Sequence, residues 1–384
     1  MAQHEIVLIL DDDASITEAL AATLERPGRT VVTCGDRESA ELALARLPVS
    51  LMLSDIRLTG PFAFEGLDLV RDLAGRIPNG RIVLMTGESN DAIRDEARRR
   101  GAMGVLEKPF EIDTIEQLLQ ENDRSGPDSP ERVTQLPPVI RIPTLDEVIA
   151  SPYLCPAFQP VIILGTDKPE TFAYESLARF RGSTPLFDTS YLFEYAAKKN
   201  RVGELDLVCM DRSFQYALPL AALGKIFINI HPHVLEEGPL LLRSLTAAST
   251  RHKLPLNRIV IEITEQASIR NQDAAVECIN ELRALGVEFA LDDVGIAYSH
   301  LSLIDRIRPS FLKISQLFGT AFERDATKEK IVRNIASLAS DFGCETILEG
   351  IEERETAVAA ARLGIKYAQG YYFARPAEAS TFLK

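Results

Sequence analysis

Short apolar runs recur along the chain, each followed by a stretch of helical period. In the first third the runs are IVLIL at 6–10, LMLSD at 51–55, RIVLMT at 81–86 and GVLEKP at 104–109. Between them, segments such as ITEALAATLER and ESAELALARL space their apolar residues three and four apart. Uninterrupted apolar strands belong to sheets covered on both faces, so this alternation predicts a doubly wound parallel α/β sheet. The periodicity stops in QENDRSGPDSPERVTQLPPVIRIP at 120–143, which holds five prolines and reads as a linker. It resumes near 147 and lasts to the end of the chain, about the length of one (β/α)8 barrel. The predicted organisation is a sheet domain at 1–123, a linker at 124–146 and a barrel at 147–384.

What ends each run carries the chemistry. In the second half FAYE ends at Glu175, KIFIN at Asn229, RIVIE at Glu262, EFALDD at Asp292 and Asp293, SFLK at Lys313, ETILE at Glu349 and KYAQ at Gln369. One polar residue after one strand is ordinary solvation. Seven such endings, most of them carboxylates, predict convergence on the face of a parallel barrel where catalytic sites sit. In the first half, Asp11 and Asp12 close one strand and Asp55 another, where a doubly wound sheet borders its ligand crevice. Carboxylates gathered there repel one another unless a hard cation such as Mg²⁺ lies among them. Thr86 adds a hydroxyl, and Lys108, the only lysine in residues 1–123, adds a compact positive charge.

Composition narrows the function. The 384 residues exceed one typical core. Fifty-six acids against 42 bases give a net charge of −14, which disfavours direct binding to DNA and favours sites that gather cations. The five cysteines form no CxxC pair, so neither a disulfide framework nor a zinc knuckle is expected, and a reducing cytoplasm fits. No basic stretch precedes the first apolar run, and no run reaches the ~18 apolar residues of a membrane helix, so neither a secretion signal nor a membrane span is expected.

With those residues in place, ILDDDAS, LSDIRLTG, LMTGES and LEKPF, across residues 4–121, resemble the receiver domain of bacterial response regulators. The resemblance implies phosphoryl transfer from a cognate histidine kinase to Asp55. One Mg²⁺ would be held by Asp11, Asp12 and Asp55, with Thr86 and Lys108 on the phosphoryl oxygens. Two positions depart from the pattern: Gly66 lies late after Asp55, and Val105 stands where an aromatic switch residue is usual.

Residues 158–376 resemble the EAL domain, a barrel that hydrolyses the bacterial messenger cyclic di-GMP to linear pGpG. The matching pieces are FQPV, ESLAR, INIHP, IEITE, LDDVGIAYSHLS, LKIS, EGIEE and AQGYYFARP. The resemblance implies one or two Mg²⁺ or Mn²⁺ ions on Glu175, Asn229, Glu262, Asp292 and Asp293. Glu349 would act as general base or as a ligand of the second ion, and Lys313 would hold the water. Arg179 and Gln369 would contact the nucleotide, Glu265 and Glu352 would support from behind, and a homodimer is expected. Bland readings stand beside these: Arg179 pairing with an acid, Gln369 capping a strand, Asn229 in a turn. His231 and His233 follow Asn229 closely, but the oxygen set is complete without them. Ile296 and Ala297 depart from the usual loop after the paired aspartates, His300 replaces a serine, and Ser315 stands where KxD has aspartate. These departures leave a rival open: a barrel that binds cyclic di-GMP or a protein without cleaving it.

Overall fold

The computed structural model describes residues 4–58, 65–73, 77, 81–87, 89–120, 136–152, 154–166, 169–181, 188–264, 269–295 and 300–383. Glu265, Ile296 and Ala297, singled out above, lie outside them. The chain forms two compact units, Met1–Ser151 with Gly182–Asn200, and Pro152–Arg181 with Arg201–Lys384.

The first unit is a parallel sheet of six strands: β1 Glu5–Leu10, β2 Arg29–Cys34, β3 Leu51–Asp55, β4 Ile82–Thr86, β5 Gly104–Glu107 and β6 Val139–Arg141. Their order is β5-β4-β3-β1-β2-β6, with every pairing parallel. Residues Ile6–Leu10 are wholly buried, as central strands covered on both faces must be. The predicted linker differs from expectation: within it, Val139–Arg141 pairs with β2 as an edge strand. Three residues among prolines give no readable period, and Pro138 serves by offering its carbonyl to the Val31 N–H at 2.8 Å. The helix Thr189–Lys198, predicted as part of the barrel, belongs to this first unit. Its Tyr195 hydroxyl donates to Asp36, which also accepts from Lys199 Nζ at 2.8 Å.

The second unit is a closed eight-stranded barrel: β7 Leu154–Ile163, β8 Glu170–Phe180, β9 Lys225–Ile230, β10 Ile259–Thr264, β11 Glu288–Val294, β12 Phe311–Ile314, β13 Glu345–Leu348 and β14 Tyr367–Ala368. The all-parallel expectation is corrected at one strand. β7 runs antiparallel to both its neighbours, β8 and β14. The cause is the short connection from Ile163 to Glu170, which turns β7 and β8 into a hairpin where a parallel pair would need a helical crossover.

Successive residues of a strand face opposite sides, so a barrel interior is built in layers. One layer is apolar and takes one residue from each strand: Val161, Ala173, Phe227, Val260, Ala290, Phe311, Ile347 and Tyr367. Phe172 packs with it, stacked on Tyr367 at 4.1 Å between ring centroids. This plug closes the barrel and forms the floor of what lies above.

Candidate functional site

Two residues further along each parallel strand, side chains return to the barrel interior one layer above the plug. From Ala173 that step reaches Glu175, from Phe227 Asn229, from Val260 Glu262, from Ala290 Asp292, from Phe311 Lys313, from Ile347 Glu349 and from Tyr367 Gln369. All seven positions read from the run endings therefore meet in one ring. Glu175 sits in the middle of β8 rather than at a strand end, because that strand runs on to Phe180. The eighth member was not singled out. β7 runs the other way, so the step from Val161 goes backwards, to Gln159, which pairs in register with Glu175.

Lys313 is fully buried at the centre. Its ammonium lies 2.8 Å from Glu349, 2.9 Å from Glu262, 3.3 Å from Asp292 and 3.4 Å from Glu175. By distance these are ion pairs, but the ammonium makes no well-aligned hydrogen bond. Glu175 also accepts from Asn229 Nδ2 at 3.1 Å and from Gln369 Nε2 at 2.6 Å. Four carboxylates thus face one cation out of water, and their proton affinities respond. Burial, and then the neighbouring Glu175 charge, pushes Glu262 well above the usual carboxylate range. Burial pushes Glu349 up to about 8 and raises Asp292. Glu175 moves down: burial opposes the shift, but Lys313 and the two amide donors outweigh it. Lys313 holds its proton well above the ordinary range, since the four carboxylates prevail over its burial.

The chemistry of the donor set fits a divalent cation. Every donor is an oxygen, the ring carries excess negative charge, and both Glu262 carboxylate oxygens are buried without a hydrogen-bond partner. Among the described residues no three acid, imidazole or thiol groups already stand as a cage, because Lys313 occupies the point where they converge.

A cavity of about 340 Å³ opens above the ring, lined by Gln159, Glu175, Arg179, Glu349, Glu352 and Gln369, among others. Arg179 turns one guanidinium N–H to the Ala178 carbonyl at 2.8 Å. Glu352 is exposed on the cavity wall. Gly319 is required beside the ring, because a Cβ there would come within 1.8 Å of the Glu349 carbonyl. Asp293 adopts a left-handed backbone, φ 57°, and its carboxylate accepts from the Ser315 hydroxyl at 2.9 Å. The Ser315 departure therefore contacts the paired aspartates directly. His231 caps a turn, its Nδ1 accepting from the His233 N–H at 3.3 Å.

The first unit brings its own predicted residues together at the carboxyl ends of the strands. Lys108 Nζ donates to Asp11 Oδ2 and Asp55 Oδ1, both at 2.6 Å. The second Asp55 oxygen accepts from the Arg57 N–H at 2.8 Å. Burial raises Asp11 above the usual range even against the lysine, and it raises the more exposed Asp12 as well. Thr86 is buried at the end of β4. Asp13 has a separate task, capping the helix Ala14–Leu24 by accepting from the Ser15 N–H at 2.9 Å. The late Gly66 packs against the Asp55 backbone, since a Cβ there would sit 2.3 Å from the Asp55 carbonyl.

The EAL domain family matches residues 144–376, more than half of the sequence. The chain belongs to the EAL domain family. The response regulator receiver domain family matches residues 7–120, so this EAL chain carries a receiver domain ahead of its barrel. Cyclic di-GMP phosphodiesterase RocR of Pseudomonas aeruginosa is 26% identical over 98% of this chain and 97% of its own length. The bifunctional diguanylate cyclase/cyclic di-GMP phosphodiesterase MucR of the same species is 32% identical over 37% of this chain and 21% of its own. The solved structure of the PaMucR phosphodiesterase in its c-di-GMP complex has a TM-score of 0.53 and 27% identity, covering 60% of this chain and all of that one. Among the described residues, no helix is long and apolar enough to cross a membrane.

Proposed function

We propose that this EAL chain is a two-component response regulator whose barrel hydrolyses cyclic di-GMP to linear pGpG, with turnover modulated by phosphorylation of Asp55. The observation that carries the reading is the buried ring of four carboxylates, a lysine and three amides above the apolar plug. Similarity to the cyclic di-GMP phosphodiesterase RocR over 98% of this chain supports the hydrolytic part, and the receiver-family match at residues 7–120 supports the phosphorylation part.

Glu175, Asn229, Glu262, Asp292 and Asp293 would hold Mg²⁺ or Mn²⁺, one ion or two. A bound divalent ion makes water more acidic and shields the phosphodiester charge. The chain's own residues supply the rest. Glu349, partly buried and with raised proton affinity, takes the proton of the attacking water as the water oxygen bonds to phosphorus and the P–O3′ bond breaks, the departing O3′ taking a proton from solvent in the cavity. Lys313 orients Glu349 at 2.8 Å and keeps its positive charge throughout. Arg179 is placed to bind a phosphate from the cavity wall. A receptor without catalysis would have no use for Glu349 beside Lys313, and the ring argues for the enzyme.

Incubation of the full chain with cyclic di-GMP and Mg²⁺ or Mn²⁺ should release pGpG, read by chromatography. Glu349→Gln should lower the rate about a thousandfold while cyclic di-GMP still binds. Tight binding without product in the parent chain would overturn the reading. In the receiver, Asp11, Asp12 and Asp55 would hold one Mg²⁺ while Lys108 and Thr86 steady the phosphoryl oxygens. Acetyl phosphate, standing in for the kinase, should add one phosphoryl group per chain, seen by mass. Asp55→Asn should abolish that addition and any accompanying change in turnover. Sedimentation would test the expected homodimer.

A further inference from the structure

Gln159 and Gln369 are both buried, and they are joined by a hydrogen bond from Gln369 Nε2 to Gln159 Oε1 at 3.0 Å. Each end of this pair meets a group that can only accept. Gln159 Nε2 donates to the Ala374 carbonyl at 3.0 Å, and Gln369 Nε2 donates to Glu175 at 2.6 Å. Turning the Gln159 amide over would set its oxygen against the Ala374 carbonyl, and turning Gln369 over would set its oxygen against the carboxylate. The orientation of both amides is therefore imposed from two sides. An amide nitrogen has two hydrogens, and those of Gln369 are both engaged. Its remaining polar atom, Oε1, is buried without a partner in a residue that lines the cavity. A buried acceptor of this kind is satisfied by a ligand that donates or by a cation, and Mn²⁺ titration separates the two. A phosphate oxygen carries no proton at neutral pH and cannot do so.

We propose that Gln159 is a positioning residue that locks the amide of Gln369, so that Gln369 meets the bound nucleotide as a hydrogen-bond acceptor for a base N–H or a sugar O–H. The inference rests on the phosphodiesterase reading and adds to it which part of the substrate this position selects. Gln159 needs no substrate contact for that role. It acts through Gln369, and the antiparallel course of β7 brings it into the ring opposite Glu175.

The test uses full-length Gln159→Met, Gln369→Met and the double variant, with thermal melting as a check on folding. Gln159→Leu, similar in size and without an acceptor, stands in if Gln159→Met does not fold. Gln159→Met should raise the KM for cyclic di-GMP about tenfold, the size of one lost hydrogen bond, with kcat changed less than about twofold. Its Mn²⁺ affinity, titrated calorimetrically, should stay that of the parent, because Gln369 can still donate to Glu175. The double variant should be no worse than Gln369→Met alone. Cyclic di-inosine monophosphate and a 2′-deoxy analogue identify the donor. The Gln159 effect shrinks with the first if the guanine amine donates and with the second if the sugar hydroxyl does; it persists with both if the ring N–H donates. An unchanged KM, additive effects in the double variant, or Mn²⁺ affinity falling in step with KM would overturn the proposal. A parent chain that neither binds nor cleaves cyclic di-GMP would instead defeat the functional reading beneath it.

Discussion

The receiver and the barrel each gather carboxylates around a single lysine, in different proportion and depth. In the receiver, Lys108 joins Asp11 and Asp55, and the ammonium stays partly open to solvent. In the barrel, Lys313 joins four carboxylates and is sealed from water. Two acids paired with one base, with the more exposed Asp12 beside them, leave a smaller and partly solvated excess of charge at the crevice proposed to take a phosphoryl group. Four against one, sealed, leave a standing demand for cations, because water cannot screen the surplus. The first arrangement suits a transient modification, and the second suits resident ions.

The sharpest way to break this comparison is to remove each lysine. Without Lys313, two buried carboxylates and two partly buried ones have no ammonium, and removing one partner of a buried ionic group costs about 3–5 kcal/mol. Lys313→Met should lower the unfolding free energy of the barrel, read from urea transitions, by that order in EDTA, and Mn²⁺ should recover much of the loss by returning positive charge. Lys108→Met, at a partly solvated site, should cost the receiver about 1–2 kcal/mol. Equal costs in the two units, or a Lys313→Met barrel indifferent to Mn²⁺, would remove the contrast.

Asp206 sharpens the comparison as a buried carboxylate outside both clusters. It accepts from the His231 backbone N–H at 2.7 Å and, among the described residues, forms no ion pair. Burial raises it from 3.8 to about 7. For an acid whose folded value lies above its unfolded one, the fold binds the proton more tightly. The penalty is therefore absent below pH 3.8, grows as pH rises and is complete above about 7. Asp206→Asn should stabilise the barrel by about 2–4 kcal/mol at pH 8 and match the parent at pH 4, read from melting curves across that interval. A benefit that does not change with pH would mean that packing, not charge, is the cause.

The two sites were legible in the sequence to different degrees, for physical reasons. The receiver's acids end buried parallel strands, so the apolar run and the functional residue sit side by side in the text. Seven barrel positions were visible in the same way. Gln159 was not: on a reversed strand the interior polar residue comes before the apolar plug residue, so FQPV reads as the start of an apolar run. A strand followed by a short turn and no helix was the available signal for that reversal. β6 escaped because three residues between prolines carry no period. Glu175 was found by its run ending although β8 continues past it, because Ser176 follows and breaks the apolar pattern.

The smallest expected effect concerns Ser315. A hydroxyl there donates to Asp293, whose left-handed backbone already restrains the carboxylate. Removing the hydroxyl leaves Asp293 able to turn toward water, a loss of about 1 kcal/mol, or roughly fivefold in any equilibrium that uses the carboxylate. Ser315→Ala should therefore weaken the second Mn²⁺ equivalent about fivefold in calorimetric titration and leave the first unchanged, because the contacts of Glu175, Asn229 and Glu262 do not pass through Ser315. Restoring the family's acid in Ser315→Asp sets a like charge against Asp293, which repels it when no ion is bound but adds an oxygen donor when one is. If Ser315→Ala weakens both equivalents alike, Asp293 belongs to the same ion as the ring; if neither changes, Ser315 is only the cap of the short helix Gln316–Gly319.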